Sequence, residues 1–139
     1  MRGFLLDTNC ISEPLRVAPD QRVVQWIDSI DEEMLYLSVL TIGELRKGAC
    51  RLPSSSRRSQ LERWLDELCL RFAGRVLSIN IEIADRWGRI SATAESNGKS
   101  LSSIDSLLAA TALHHNLTIA TRDTQDFVET QVPILNPWL

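Results

Sequence analysis

Four short apolar runs punctuate the chain, and stretches of helical periodicity separate them. The runs are Phe4-Leu5-Leu6, Leu35-Tyr36-Leu37-Ser38-Val39, Val76-Leu77-Ser78-Ile79 and Leu117-Thr118-Ile119-Ala120-Thr121. Each is too short for a core helix and suits a buried strand. Between the first two, Asp7-Thr8-Asn9 starts a short helix that ends near Pro14, and Asp20 opens a second carrying Val23, Val24, Trp26, Ile27 and Ile30. A helix over 41–51 follows the second run and is broken by Pro53-Ser54-Ser55-Ser56. Residues 56–72 place Leu61, Trp64, Leu65, Leu68 and Phe72 on one face, with Arg57, Arg58, Glu62, Arg63 and Glu67 on the other. A helix over 81–96 closes at Asn97-Gly98, and one over 104–115 runs from the caps Ser102-Ser103 to Asn116. Val132-Pro133-Ile134-Leu135 reads as a short edge strand, where a proline is tolerated. Strands alternating with helices dictate an α/β fold: three α/β/α layers around a central, mainly parallel sheet of 4–5 strands. Residues 1–139 read as a single domain, without linker or repeat.

Composition narrows the function classes. Hydrophobic residues at 44% and charged residues at 24% exclude disordered and fibrous chains. The opening Met1-Arg2-Gly3-Phe4-Leu5-Leu6-Asp7 meets an acid after three apolar residues, so no leader is expected, and no run reaches membrane-spanning length. Cys10, Cys50 and Cys69 are odd in number and lack CxxC spacing, which reads as three buried free thiols in a reducing, cytoplasmic setting. A net charge of −3 disfavours coating nucleic acid by bulk attraction. It leaves room for an enzyme that reaches phosphate through a bound cation and a local basic patch.

Four acids fall where a parallel sheet gathers ligands, beyond the carboxyl ends of its strands. Asp7 follows the first run and Asp123 the fourth; Asp105 lies in the first turn of a helix, and Glu44 is mid-helix with Thr41 and Gly48 a turn to either side. Gly43 and Gly48 each cost that helix about 1 kcal/mol relative to alanine, which suggests close backbone approach. Two carboxylates about 4 Å apart repel by around 4 kcal/mol at an effective dielectric near 20. A converging cluster therefore needs raised pKa values or a divalent cation. All-oxygen ligation favours Mg²⁺ or Mn²⁺, ions that polarise a phosphate and activate water. Each acid also has a structural reading, as helix cap, solvated charge, dipole partner or turn residue, and spacing alone does not choose between the two.

The wording around the acids carries more information. Leu5-Leu6-Asp7-Thr8-Asn9 resembles the opening of PIN domains, and the segment from Leu37 through Gly43-Glu44-Leu45 to Gly48 resembles the one bearing their second acid. Ser103-Ile104-Asp105-Ser106-Leu107-Leu108-Ala109-Ala110 is similar to the third motif, and Ile119-Ala120-Thr121-Arg122-Asp123-Thr124-Gln125-Asp126-Phe127 to the fourth. With the ending Val132-Pro133-Ile134-Leu135-Asn136-Pro137-Trp138, the whole resembles the FitB-like branch of the VapC toxins of type II toxin–antitoxin systems. The resemblance implies a Mg²⁺-dependent endoribonuclease, with Mn²⁺ as a substitute. Asp7 and Asp105 would be direct metal ligands, completed by Glu44 and Asp123. Many relatives carry asparagine at the position of Asp123 and an aspartate at that of Asp126, so either acid could serve as the fourth. Thr8, Asn9 and Thr121 would orient ligands or substrate, though capping and turn formation explain them equally well. The implied partners are RNA, a cognate antitoxin with a DNA-binding N-terminus, a second copy in a homodimer and a larger toxin–antitoxin assembly. No membrane is implied. A homodimer and an antitoxin segment lying in a groove near the acids follow from the same resemblance, with Ile11, Leu15, Val24 and Ile27 as apolar anchors.

The remaining features carry less. Arg46 and Lys47, with Arg51, Arg57 and Arg58, form the densest basic stretch and could guide an RNA backbone. His114-His115 sits in the last turn of a helix, where the dipole suits it. Trp26, Trp64 and Trp87 fall at apolar helix positions. The alternative to an enzyme is a catalytically silent PIN-like module that binds RNA or protein. A phosphatase starting from an aspartate after the first strand would want Asp-x-Asp, and Asn9 occupies the third position.

Overall fold

Alternation along one strand sorts the interior into two cores. In β1 (Phe4–Leu6), Phe4 and Leu6 point to one face of the sheet and Leu5 to the other, as the two-residue repeat requires. The computed structural model describes residues 3–139; Met1 and Arg2, which begin the segment read above as leaderless, lie outside the described residues.

β1 is flanked by β2 (Leu35–Ser38) and β4 (Thr118–Ala120), with β3 (Val76–Leu77) and β5 (Ile134–Leu135) at the edges. The order is β3-β2-β1-β4-β5, and every pairing is parallel. On one face, Phe4, Leu6, Leu35, Leu37 and Ala120 pack against α1 (Thr8–Ser12), α2 (Gln21–Ser29) and α4 (Ser56–Arg71) through Cys10, Ile11, Val23, Ile27, Leu65 and Leu68. On the other, Leu5 and Ile119 meet Leu108, Ala109 and Ala112 of α6 (Ser103–His114), and α5 (Ile81–Ser96) lies along α6. The fold is the expected three-layer α/β/α arrangement, with five strands, all parallel.

Several boundaries move. The helix expected over 41–51 is α3 (Val39–Cys50), which starts two residues earlier because the Ser38 hydroxyl caps it, accepting the Leu40 N–H at 3.0 Å. Val39 is therefore helical and not part of the strand. The third and fourth apolar runs pair over two and three residues only, since pairing stops where neighbouring strands end. Two 3-10 segments, Glu32–Met34 and Thr124–Thr130, carry no periodic apolar pattern and were not anticipated. Of the three cysteines only Cys10 is buried; Cys69 is half-buried and Cys50 exposed, because the last turn of α3 turns it to solvent. All three are free, as expected. Trp26 meets the Phe4 ring edge-on at 5.0 Å between centroids, and Trp87 Nε1 donates to Ser106 Oγ at 2.9 Å. Among the described residues no helix is long and apolar enough to cross a membrane.

Two glycines make opposite demands. A Cβ at Gly3 would lie 2.5 Å from the Met34 carbonyl oxygen and 2.9 Å from the Tyr36 ring, whereas at Gly88, inside α5, it would meet nothing within 4 Å. Gly3→Ala is expected to lower stability by about 1–3 kcal/mol through overpacking. Gly88→Ala is expected to raise it by up to about 1 kcal/mol through helix propensity. Urea denaturation of the two variants in one buffer checks both signs.

Candidate active site

The strand order reverses between β1 and β4. The chain builds outward from β1 to β2 and β3, then crosses back to β4 and β5. Ligand crevices of open parallel sheets form at such a reversal, beyond the strands' carboxyl ends. Leu6 pairs with Ala120 at the end of both strands, so the next residues, Asp7 and Thr121, emerge side by side.

That adjacency is fixed by hydrogen bonds. The Asp7 N–H donates to the Ala120 carbonyl at 3.0 Å, and the Thr121 hydroxyl donates to Asp7 Oδ2 at 2.8 Å. Asp7 Oδ1 accepts the Thr8 N–H at 2.8 Å and thereby caps α1. Thr121 Oγ also accepts the Asp123 N–H at 3.0 Å. The next two residues of α1 reach the other acids: Thr8 Oγ1 donates to Glu44 Oε1 at 2.6 Å, and Asn9 Nδ2 to Asp123 Oδ2 at 2.7 Å. Asp105 sits in the first turn of α6, its N–H bonded to the capping Ser102 hydroxyl at 3.0 Å. Thr8, Asn9 and Thr121 are thus bound to acids on other elements, a role that sequence left undivided from capping. Three polar residues directly after a buried strand were the available signal.

The acids sense one another. Burial is the main force raising the pKa of Asp7, opposed by the bonds from Thr121 and Thr8, and the charges of Asp105 and Glu44 push it further up. Asp105 is raised chiefly by burial, against its bond to Ser102, and then by Asp126, Glu44 and Asp123. Asp126 weighs on Asp105 more than Asp123 does, whereas Asp123 is the one tied to Asn9. Both thus lie within electrostatic reach of Asp105.

The donor set has a definite chemistry. Among the described residues no three His, Cys, Asp or Glu side chains come close enough together to hold one ion between them. Carboxylate oxygens are joined by one more acceptor: Asn9 Oδ1 is buried and unpartnered, its identity fixed because the amide nitrogen serves Asp123. A buried acceptor without a donor costs stability and suits a water or a cation's hydration shell. Mg²⁺ is commonly held by one or two carboxylates while keeping several waters, so these residues fit it. They do not fit structural zinc, which wants four Cys or His ligands.

Two grooves lead away from Glu44. One, of about 560 Å³, runs along α3 past Gly43, Lys47, Gly48 and Arg51. A Cβ at Gly43 or Gly48 would meet nothing within 4 Å, so the close approach expected from these glycines does not occur within the chain; both lie open on the groove floor. The other groove, of about 410 Å³, passes Leu15, Leu61 and Trp64 between the start of the chain and α4. Of the four expected anchors, Ile11 and Ile27 are consumed by the core and Val24 is half-buried, while Leu15 stands exposed in this groove. The basic pair divides as well. Lys47 lines the α3 groove, but Arg46 turns to α4 and pairs with Asp66 at 2.8 Å. His114 and His115 stack edge-on at the far end of α6, about 15 Å from Asp105 at 1.5 Å per residue, too far to share its chemistry.

Comparison with known proteins agrees with this geometry. The PIN domain model matches residues 4–132. Toxin FitB of Neisseria gonorrhoeae is 44% identical over 136 residues, 97% of this chain and 98% of that protein. VapC ribonuclease Y4jK of Sinorhizobium fredii is 39% identical, covering 97% of both. The solved structure of FitAB bound to an IR36 DNA fragment superposes with a TM-score of 0.92 at 41% identity, over 98% of this chain and 96% of that one.

The raised Asp105 pKa makes a signed prediction. Below the ordinary value of 3.8 the carboxyl is protonated whether or not the chain is folded, and it costs nothing. As pH rises from there through the raised folded value, the unfolded chain ionises more readily, so the native state loses stability. Asp105→Asn removes this loss while keeping the backbone bond to Ser102. In EDTA, its melting temperature is expected to match wild type near about pH 3, to pull ahead as pH rises through the raised folded value, and to keep a constant lead above it. Calorimetry across that range checks it; a constant offset at all pH values would contradict the raised pKa.

Proposed function

This chain belongs to the PIN domain family, and from that premise we propose that it is the ribonuclease toxin of a type II toxin–antitoxin pair. In this reading it acts in the cytoplasm and hydrolyses RNA phosphodiester bonds with the help of Mg²⁺. The observation that carries the proposal is the bracing of Asp7, Glu44 and Asp123 by Thr121, Thr8 and Asn9 across the β1–β4 reversal. Carboxylates held this firmly at mutual electrostatic cost are of use where a cation is to be bound. The relatives named ribonuclease and toxin support the same reading.

Asp7 and Asp105 would hold the ion, with Glu44 and Asp123 reaching its waters. When bound, Mg²⁺ supplies polarisation of the phosphate and a more acidic water. Thr121 keeps Asp7 Oδ2 oriented, Thr8 does the same for Glu44, and Asn9 for Asp123. Asp126 lines one cavity with Asp105, where it would orient a water or the RNA. Lys47, on the open wall of the α3 groove, would guide the RNA backbone. Arg46 is the weaker guide, since Asp66 already engages it.

Cleavage of a structured RNA is expected to require Mg²⁺ or Mn²⁺ and to stop with EDTA. Asp7→Asn and Asp105→Asn should each lower it at least about 100-fold with unchanged circular dichroism. Full activity in EDTA would refute metal dependence, and metal-independent RNA binding without cutting would favour the silent module.

The partner proposal follows the apolar groove past Leu15, Leu61 and Trp64, which opens beside Thr8 and Glu44. An antitoxin segment laid there would bring an arginine to the acids, where its fork matches a carboxylate. Expected are a homodimer by equilibrium sedimentation and inhibition by the cognate antitoxin that high Mg²⁺ partly relieves. A monomer at all concentrations would overturn the dimer. Inhibition unaltered after the antitoxin's C-terminal arginines become alanine would overturn the arginine plug.

A further inference from the structure

A second cavity adjoins the acidic site and belongs to neither groove. It measures about 460 Å³ and is bounded by the loop 99–102 with the first turn of α6 on one side and the 3-10 segment Thr124–Thr130 on the other. Asp105 is the wall it shares with the acids. We propose that this cavity is a nucleobase subsite, and that it selects a guanine of the RNA next to the scissile phosphate. The inference rests on the ribonuclease reading for its setting, though not for its test.

Size, charge and hydrogen-bonding capacity point the same way. The volume lies in the lower part of the roughly 300–1,000 Å³ range of small-molecule sites, enough for one nucleoside unit. Three carboxylates line it, on Asp105, Asp126 and Glu129, against the single ammonium of Lys99. Such a wall repels a further phosphate but not a neutral base. Lys99 joins no ion pair among the described residues, and the Gln125 amide bonds to none of them, so both are free for a ligand. Val128, 53% exposed, gives a base an apolar surface to lie on.

Acceptors dominate the rim, so the preferred base is the one richest in donors. A carboxylate accepts two parallel N–H bonds, and guanine alone among the four bases sets a ring N–H beside an amino group on its pairing edge. Glu129 would take that edge, and Gln125 or Lys99 would donate to O6. Uracil has one N–H between two carbonyls, which would face the carboxylates unfavourably.

The test separates the cavity from the chemistry. The full-length, isotopically labelled protein is titrated in EDTA with guanosine, adenosine, cytidine and uridine, following backbone amide shifts. Guanosine is expected to move the amides of 99–105 and 124–130 and to bind at least about tenfold more tightly than uridine. Glu129→Gln should erase most of that preference. Equal binding of all four nucleosides, or shifts confined to other surfaces, would overturn the proposal. In parallel, RNA cut with Mg²⁺ is sequenced at its ends: wild type should favour guanosine beside the cut, and Glu129→Gln should keep cutting with the preference lost. Guanosine binding without any RNA cleavage would uphold the subsite and overturn the ribonuclease reading. Cleavage without guanosine binding would do the reverse.

Discussion

The register of two strands governs this molecule. Because Leu6 pairs with Ala120, the first residues beyond β1 and β4 meet at the one place where the sheet order reverses. Asp7 and Thr121 are separated by 114 positions and are hydrogen bonded at 2.8 Å. A slip of one residue would turn Asp7 to the opposite face and exchange Leu5 with Leu6 between the two cores. The packing of both layers therefore holds the acid in place, and the site inherits the rigidity of the sheet.

Repulsion among the acids is met locally. Each of Asp7, Glu44 and Asp123 accepts a bond from a neutral side chain, and none of the three takes an ion pair among the described residues. Neutral donors orient a carboxylate without cancelling its charge, which stays available to a cation. Elsewhere the protein uses cations freely: Glu32 is held by Arg71 and Arg75, and Asp20 by Arg22. The contrast is one of orientation: Arg122, next to Asp123 in the chain, lies over the Trp138 ring instead.

Much of this was legible in the residues. Short apolar runs gave the strands and 3.6-residue periodicity the helices, because burial on both faces leaves a continuous run and burial on one face a periodic trace. The caps Asp7, Asp20 and Ser102 marked helix starts through side-chain oxygens that accept amide hydrogens. What periodicity does not carry was missed or misplaced. Val39 is β-branched and suits a strand, yet the Ser38 cap claims it for α3. The direction of Arg46 depends on Asp66, 20 residues away on another helix. Ile11 and Ile27 looked available for a partner, but both are buried in the core on the Phe4–Leu6 face of the sheet. The bonds from Thr8, Asn9 and Thr121 exist only in three dimensions.

The 3-10 segment Thr124–Thr130 sets the acids on unequal foundations. Asp7, Glu44 and Asp105 belong to α-helices or their caps, whereas Asp126 lies within this segment and Asp123 precedes it. Hydrogen bonds of a 3-10 turn are poorer in geometry, and this one ends in a left-handed Gln131 with φ of 61°. Buried Phe127 is its chief anchor to the sheet. Such a segment opens at lower free energy than the strands beside it. Its departure would carry Asp126 away while Asn9 and Thr121 kept Asp123 in place, leaving four carboxylates instead of five beside an intact sheet.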